Sequence, residues 1–371
     1  MNIAFYTTQK DWGGGEVLAA DLAAALRRQG HSVGWIVRQG GEPQRRITNT
    51  YRQSIWGSIH GRGRGPSAFR AIARVLRQRV PDVFIMNDTH AVAAGGVASF
   101  LCGQHRPLRV AVKHTIFPLR SRFKYRLLCD RVFCVSAAAQ KTVVQGGFPE
   151  SCTFVVPGGI RPVEFQEEVR RYMRASLSLG DGDFMVLAVG NLLPCKGHRE
   201  LIRAMGVLRS HASMRLYLAG EGAERQRLLA EARRCGIESK VTMLGFHDDV
   251  PALMQAADLI VHPSHAEGLS LVLIQAQMLR RPIVATQVGG AAEVLAAGSA
   301  PGLWTVPPRS VHELADAMAT AYQAIRSSSE AELLHANLDR AQRYALENYD
   351  IHGSARRLAD ILAHLLTVPP H

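Results

Sequence analysis

The chain has 371 residues, 47% apolar and 20% charged, which suits two folded domains and excludes a disordered tail protein. Its formal net charge of +13 is lopsided, with 22 Lys and Arg against 8 Asp and Glu in residues 1–160, and 22 against 23 in residues 161–371. The first half therefore calls for an anionic partner: nucleic acid, anionic lipid or a phosphorylated substrate.

In chain order, Ile3–Thr7 reads as a strand, followed by the turn Gly13-Gly14-Gly15. A helix over Glu16–Gln29 then carries Leu18, Leu22, Ala25 and Leu26 on one face, with Gly30 at its C-cap. Strand-like runs recur at Val33–Val37, Val83–Asn87, Val110–His114, Val132–Ser136 and Phe154–Pro157. Such alternation implies a doubly wound parallel sheet. Residues 161–183 read as polar and irregular. A second series follows: strand Met185–Gly190, helix 198–210, strand 215–219, helix 223–235, strands 241–245 and 259–262, helix 270–280, strand 282–286 and helix 291–297. After Pro307-Pro308 the chain reads as helical to about Leu366. The expected division is 1–163 and 164–350, with a helix over about 351–371 packing back on the first domain. Tandem βα domains place a ligand in the cleft between them, at the carboxyl ends of the strands.

No apolar stretch approaches the ~20 residues that span a bilayer. Residues Met1–Tyr6 do not read as a signal peptide, and six scattered cysteines without a Cys-x-x-Cys pair read as reduced thiols of a cytosolic protein.

The strongest motif is His262-Pro263-Ser264-His265-Ala266-Glu267-Gly268-Leu269-Ser270, a strand running through small residues into a helix. Backbone N–H groups of Gly268, Leu269 and Ser270 at a helix mouth form a phosphate site that needs no metal. Glu267 is placed to accept from sugar hydroxyls, and Gln275, inside the helix, to bind a ribose diol. Spacing alone is equally compatible with a plain strand-to-helix turn carrying a surface glutamate.

This stretch resembles the Glu-x7-Glu signature of the retaining glycosyltransferases of family four, and further motifs follow in that family's order along nearly the whole chain. The resemblance implies an α/β chain of the GT-B type, with two Rossmann-like, doubly wound parallel-sheet domains facing a central cleft. It also implies that the first glutamate contacts the donor sugar and the second the nucleotide ribose. Here the first is Glu267, while Gln275 stands for the second and accepts without charge assistance. In Gly190-Asn191-Leu192-Leu193-Pro194-Cys195-Lys196-Gly197, Lys196 is the cation for the diphosphate and the leaving nucleotide. The family usually has an arginine where Asn191 stands. The Gly13–Gly15 loop with Glu16 corresponds to the loop under the donor phosphate and acceptor, with Gly14, Gly15 and Glu16 as substrate contacts. His114, at a strand end, matches a family histidine that orients sugar or acceptor. Gly220 and Glu221 would frame the base, and Phe246 lies in the loop over it. Gly289-Gly290 with Glu293 would sit near the sugar or phosphates. Where the family has an aspartate after Val156-Pro157-Gly158-Gly159-Ile160, this chain has Arg161.

Asp181-Gly182-Asp183 has an Asp-x-Asp spacing but falls in the linker and reads as a turn. His262 and His265 lack partners at ligand spacing, so neither a metal site nor a cofactor is expected beyond the nucleotide-diphosphate sugar as co-substrate.

Arg70, Arg74 and Arg77 share a helical face, and Arg120-Ser121-Arg122-Phe123-Lys124-Tyr125-Arg126 mixes cations with aromatics. Such segments suit an anionic membrane surface. No nucleic-acid-binding pattern accompanies them, so nucleic acid is not expected as partner. The expected activity is transfer of a sugar to a lipopolysaccharide or other cell-surface glycan. The acceptor is anionic or lipid-linked, and the protein is cytoplasmic and peripheral on the inner membrane. Three alternatives stay open: a nucleotide-sugar epimerase on the same fold, a non-catalytic sugar- or lipid-binding protein, and a basic nucleic-acid binder with a steep salt dependence.

Overall fold

The strands are short and almost wholly apolar, the signature of parallel sheets covered on both faces. The computed structural model describes residues 1–61, 63, 65–119, 121–296 and 301–367. Arg120, Ala297 at the end of the expected helix 291–297, and 368–371 at the end of the expected terminal helix lie outside the described residues.

The elements are β1 (Asn2–Tyr6), α1 (Gly14–Arg28), β2 (Ser32–Arg38), α2 (Glu42–Asn49), β3 (Ser54–Ile59), α3 (Pro66–Arg79), β4 (Val83–Met86), α4 (Thr89–Phe100), β5 (Leu108–Lys113), α5 (Arg122–Leu128), β6 (Arg131–Cys134), α6 (Ala137–Gln145) and β7 (Thr153–Val155). Then come α7 (Glu167–Ser176), β8 (Phe184–Val189), α8 (His198–Val207), β9 (Met214–Ala219), α9 (Arg225–Arg234), β10 (Val241–Gly245), α10 (Val250–Ala256), β11 (Leu259–His262), α11 (Leu271–Met278), β12 (Ile283–Thr286), α12 (Gly289–Val294) and β13 (Leu303–Val306). Helices α13 (Val311–Arg326), α14 (Ala331–Tyr349) and α15 (Ile351–Thr367) close the chain.

Two units result, Met1–Arg161 with the chain from Asn348 onward, and Pro162–Glu347. The first holds a seven-stranded sheet in the order β3-β2-β1-β4-β5-β6-β7, the second a six-stranded sheet in the order β10-β9-β8-β11-β12-β13. Pairing is parallel throughout, so each unit is a doubly wound α/β domain, as expected. In each, the strand order reverses beside the first strand of the unit. The resulting switch points lie between β1 and β4 and between β8 and β11. Ile351, Ala355, Leu358, Leu362 and Leu365 of α15 join Ile3, Phe5, Leu26 and Trp35 in the first core.

Three segments differ from the expectation. Residues 161–183 are not irregular throughout, because α7 occupies the middle of that stretch. This helix buries only Met173 and is held instead by two arginines. Arg170 donates to the Gln255, Ala256 and Ala257 carbonyls at the end of α10, and both Arg170 and Arg174 pair with Asp258, at 2.6 and 3.0 Å. Helix α2 with strand β3, and strand β13, are additional. In β3 the alternation is broken because Gly57 follows Trp56, whose ring lies where a Cβ on Gly34 of β2 would be.

Candidate functional site

The second switch point gathers side chains from two loops far apart in sequence. After β8 the chain turns through Pro194–Lys196 into α8, and after β11 it runs through Glu267 into α11. Gly197, at φ +67°, caps α8, and a Cβ there would lie 1.9 Å from the Pro263 carbonyl oxygen. His265 N–H donates to the Cys195 carbonyl at 2.8 Å. The two loops are thereby pressed together, and Lys196 Nζ donates to Glu267 Oε1 at 2.5 Å.

The same carboxylate oxygen accepts from Ser264 Oγ at 2.8 Å and from His262 Nε2 at 3.0 Å. An ionised carboxylate only accepts, so Nε2 of His262 carries the proton; Ser270 Oγ lies 3.2 Å from that nitrogen. Burial raises the Glu267 pKa, but hydrogen bonding and charge from His262 and Lys196 more than offset it and bring it to about 2. Glu267 is thus a fixed anion, and its Oε2 has no hydrogen-bond partner among the described residues. The N–H groups of Gly268, Leu269 and Ser270 donate to no described residue either, while Ser270 Oγ accepts from Leu273 N and caps α11. His198, buried beside this group, is lowered to about 4 by burial and then by His262 and Lys196, which keeps it neutral.

Gly220, at φ +148°, would carry a Cβ 2.0 Å from the Gly190 carbonyl oxygen, so the loop after β9 lies directly on the loop after β8. Leu192 N–H closes this layer on the Glu221 carbonyl at 2.8 Å. Gly290 N–H, at the start of α12, donates to the Glu267 carbonyl at 3.0 Å. Asn191, Glu221 and Phe246 are exposed, and Gln275 is half-buried on α11. Neither Asn191 nor Gln275 hydrogen-bonds with the Lys196–Glu267 group. Asp183 closes a turn, accepting from Gly180 N and Arg215 Nε.

The first switch point is built differently. A cavity of about 800 Å³ is lined by Gly15, Glu16, Asn87, Asp88, His114 and Lys124, among others. Asp88 caps α4 through His90 N and Ala91 N, both 2.9 Å, and accepts from Thr8 N and Thr8 Oγ1, both 2.7 Å. Asn87 Nδ2 points toward Gly15 O and Glu16 Oε1, which leaves Oδ1 to accept from His114 Nε2 at 2.9 Å. His114 therefore holds its proton on Nε2 and offers Nδ1 as an acceptor. Burial lowers its pKa to about 4, so it is neutral. Burial and the nearby Asp88 raise Glu16 to about 7. Gly15 backs the imidazole, a Cβ there lying 3.5 Å from the ring. Gly14 is the first residue of α1, after the N-cap Gly13.

Lys196, Glu267 and Ser270 thus meet in one unit, and Gly15, Glu16 and His114 in the other. Asn87 and Asp88 are the members that sequence reasoning missed, while His262 and Ser264 stood in the quoted motif without the role of partners to Glu267. The signal for Asn87 and Asp88 was a pair of polar residues directly after the apolar strand β4. Arg161 has a compensating partner in Asp21, 2.6 Å away, and its guanidinium lies over Tyr51 at 5.5 Å.

Residues 12–164 match Glycosyltransferase Family 4, and residues 169–330 match Glycosyl transferases group 1. The chain is 33% identical over 165 residues to an uncharacterized glycosyltransferase of Methanocaldococcus jannaschii, covering 43% of this chain and 42% of that protein. It is 33% identical over 192 residues to a D-inositol 3-phosphate glycosyltransferase of Segniliparus rotundus, covering 49% and 42%. These alignments span less than half the length of either relative. Anabaena Alr3699/HepE, in a crystal structure with UDP-glucose, superimposes with a TM-score of 0.83 at 24% identity over 98% of this chain and 100% of that one. One glycosyltransferase domain model is thus matched in each half of the chain, and its two doubly wound parallel-sheet domains have the GT-B fold of glycosyltransferase structures.

Proposed function

We propose that the protein transfers a sugar from a nucleotide-diphosphate sugar to a hydroxyl of a lipopolysaccharide or other cell-surface glycan, with retention of configuration and without a metal ion. The observation that carries this reading is the Lys196–Glu267 contact, which joins two motifs 71 residues apart at a switch point. On this reading Lys196 neutralises the diphosphate and the charge that grows on it as the glycosidic bond breaks. The amides of Gly268–Ser270 at the mouth of α11 hold phosphate oxygens. Glu267, ionised and with Oε2 unengaged, accepts from sugar hydroxyls, and Gln275 and Asn191 complete the nucleotide contacts. Gly220, Glu221 and Phe246 shape the site for the base. The UDP-glucose in the Anabaena neighbour supports a nucleotide-sugar donor.

The first unit presents the acceptor. Its cavity offers His114 Nδ1 to orient the attacking hydroxyl, with Gly14, Gly15 and Glu16 beside it. Its surface supports contact with an anionic membrane. Arg70, Arg74 and Arg77 are exposed on α3, and α5 exposes Phe123 at 74%, next to Arg122, and Leu127 at 64%, next to Arg126. No described helix is long and apolar enough to cross a membrane. The basic and aromatic surface supports a peripheral position on the cytoplasmic face of the inner membrane.

The test is product analysis with a panel of nucleotide sugars, with and without acceptor, for the wild type, Lys196→Ala and Glu267→Ala. The reading expects acceptor-dependent transfer that both substitutions abolish; conversion of donor alone indicates an epimerase instead. Asn191 and Gln275, standing where the family usually has charged groups, favour one second reading, a non-catalytic binder. That reading expects donor binding sensitive to both substitutions but no turnover by the wild type.

A further inference from the structure

The amino ends of the strands in the second unit, opposite the Lys196–Glu267 group, carry a separate cavity of about 340 Å³. It lies where Asp258 leads into β11 and Arg281-Pro282 into β12. One wall is basic, with Arg170, Arg280 and Arg281, and the other is apolar, with Ile325 of α13 and Leu334 and Leu338 of α14.

The charges around it do not balance. Asp258 is taken by Arg170 at 2.6 Å and Arg174 at 3.0 Å, and Asp339 by Arg280 at 2.6 Å. Among the described residues, Arg281 pairs with no carboxylate at ion-pair distance, Asp258 acting on it only through its charge. Its Nε donates to the Leu279 carbonyl at 3.1 Å, its Nη1 reaches the Ala257 carbonyl only at 3.4 Å, and its guanidinium lies over Phe165 at 4.6 Å. Glu167, whose charge is felt at Arg281, lies beyond ion-pair distance. Burial, followed by the nearby charge of Arg170, lowers Arg281 to about 10, so the fold holds this cation at a cost. A guanidinium presents five donors, and its planar fork matches carboxylate and phosphate. Helix capping explains Arg170 and Arg174, which satisfy the end of α10, but it leaves one fork of Arg281 unused.

We infer that this cavity is a binding site for a small amphipathic anion, a phosphate or carboxylate head on Arg281 with an apolar body against Ile325, Leu334 and Leu338. Its volume suits one small ligand, and its place at the amino ends of the strands separates it from the proposed donor site. Binding there relieves the repulsion between Arg281 and Arg170, so occupancy stabilises the second unit.

Thermal unfolding of the full chain tests this with n-octyl phosphate and inorganic phosphate at matched ionic strength, for the wild type, Arg281→Met and Arg280→Gln. The wild type is expected to melt higher with octyl phosphate than with inorganic phosphate. Arg281→Met keeps the apolar stem and is expected to be no less stable than the wild type without ligand. It should bind octyl phosphate about 10- to 100-fold more weakly. Arg280→Gln, at the exposed rim, provides a milder version of the same loss. Sedimentation with phosphatidic acid vesicles, lost in Arg281→Met, identifies a lipid headgroup as the source of the anion; retention of octyl phosphate binding without vesicle binding identifies a free ligand. An equal response of wild type and Arg281→Met to octyl phosphate, or a response of the wild type no greater than that to inorganic phosphate, overturns the proposal.

Discussion

Two switch points of the same topology carry opposite electrostatics. At the second, Glu267 is buried yet held ionised near pKa 2 by Lys196 and His262. At the first, Glu16 is buried to a similar degree, beside Asp88 rather than a cation, and rises to about 7. Strand order fixes where a ligand site forms, and the neighbours of one carboxylate decide whether it is a fixed anion or a group that takes up a proton near neutral pH. A diphosphate calls for a cation such as Lys196, and a hydroxyl that must be oriented calls for a neutral hydrogen-bonding group such as His114.

The sharpest way to break this contrast is at the charged site. Lys196→Ala is expected to lower the rate of sugar transfer about 100- to 1,000-fold, read from initial rates, because it removes a charge aimed at the leaving diphosphate. Loss of the same size on Asn191→Ala, which removes no charge, would instead place the grip in uncharged side-chain contacts of the loop.

The two carboxylates also predict opposite pH dependences. The folded pKa of Glu267 lies below its ordinary value of 4.5, so its contribution is complete above that value and is lost as pH falls toward 2. That loss amounts to about 3 kcal/mol at most. The folded pKa of Glu16 lies above 4.5, so its contribution is complete below that value and is lost as pH rises to about 7, by a similar amount. Chemical unfolding across pH should therefore show Glu16→Gln gaining stability over the wild type toward neutral pH. Glu267→Gln should lose its disadvantage as the solution is acidified. If both variants shift with the same sign, the contrast between the sites is gone.

Helices, strands and the Lys196 and Glu267 loops were legible because apolar runs ending in small polar residues mark the carboxyl ends of parallel strands. What escaped was held by tertiary chemistry. Helix α7 shows no apolar stripe, since Arg170 and Arg174 fasten it to Asp258 and to the carbonyls of α10. Strand β3 lacks alternation because Trp56 packs on a glycine of the next strand. The partnership of His114 with Asn87 depends on β4 and β5 lying side by side, which no local pattern around either residue reveals.

That partnership gives a smaller prediction. Asn87→Ala frees the imidazole to rotate and is expected to lower kcat about tenfold with little change in donor KM, as for one lost hydrogen bond. An unchanged kcat would remove His114 from the reaction. Smallest of all, Arg122→Glu with Arg126→Glu should weaken binding to anionic vesicles by at least ~1 kcal/mol per residue, measured by sedimentation, while leaving transfer to a soluble acceptor intact.

Calorimetric titration of wild type and Lys196→Ala with a nucleotide-diphosphate sugar and with its bare nucleoside tests the charged grip most directly. The wild type should bind the diphosphate sugar far more tightly than the nucleoside, and Lys196→Ala should lose that advantage while binding the nucleoside as before. Equal affinity of both proteins for the nucleotide sugar would contradict the assignment of Lys196 and Glu267 as the donor site.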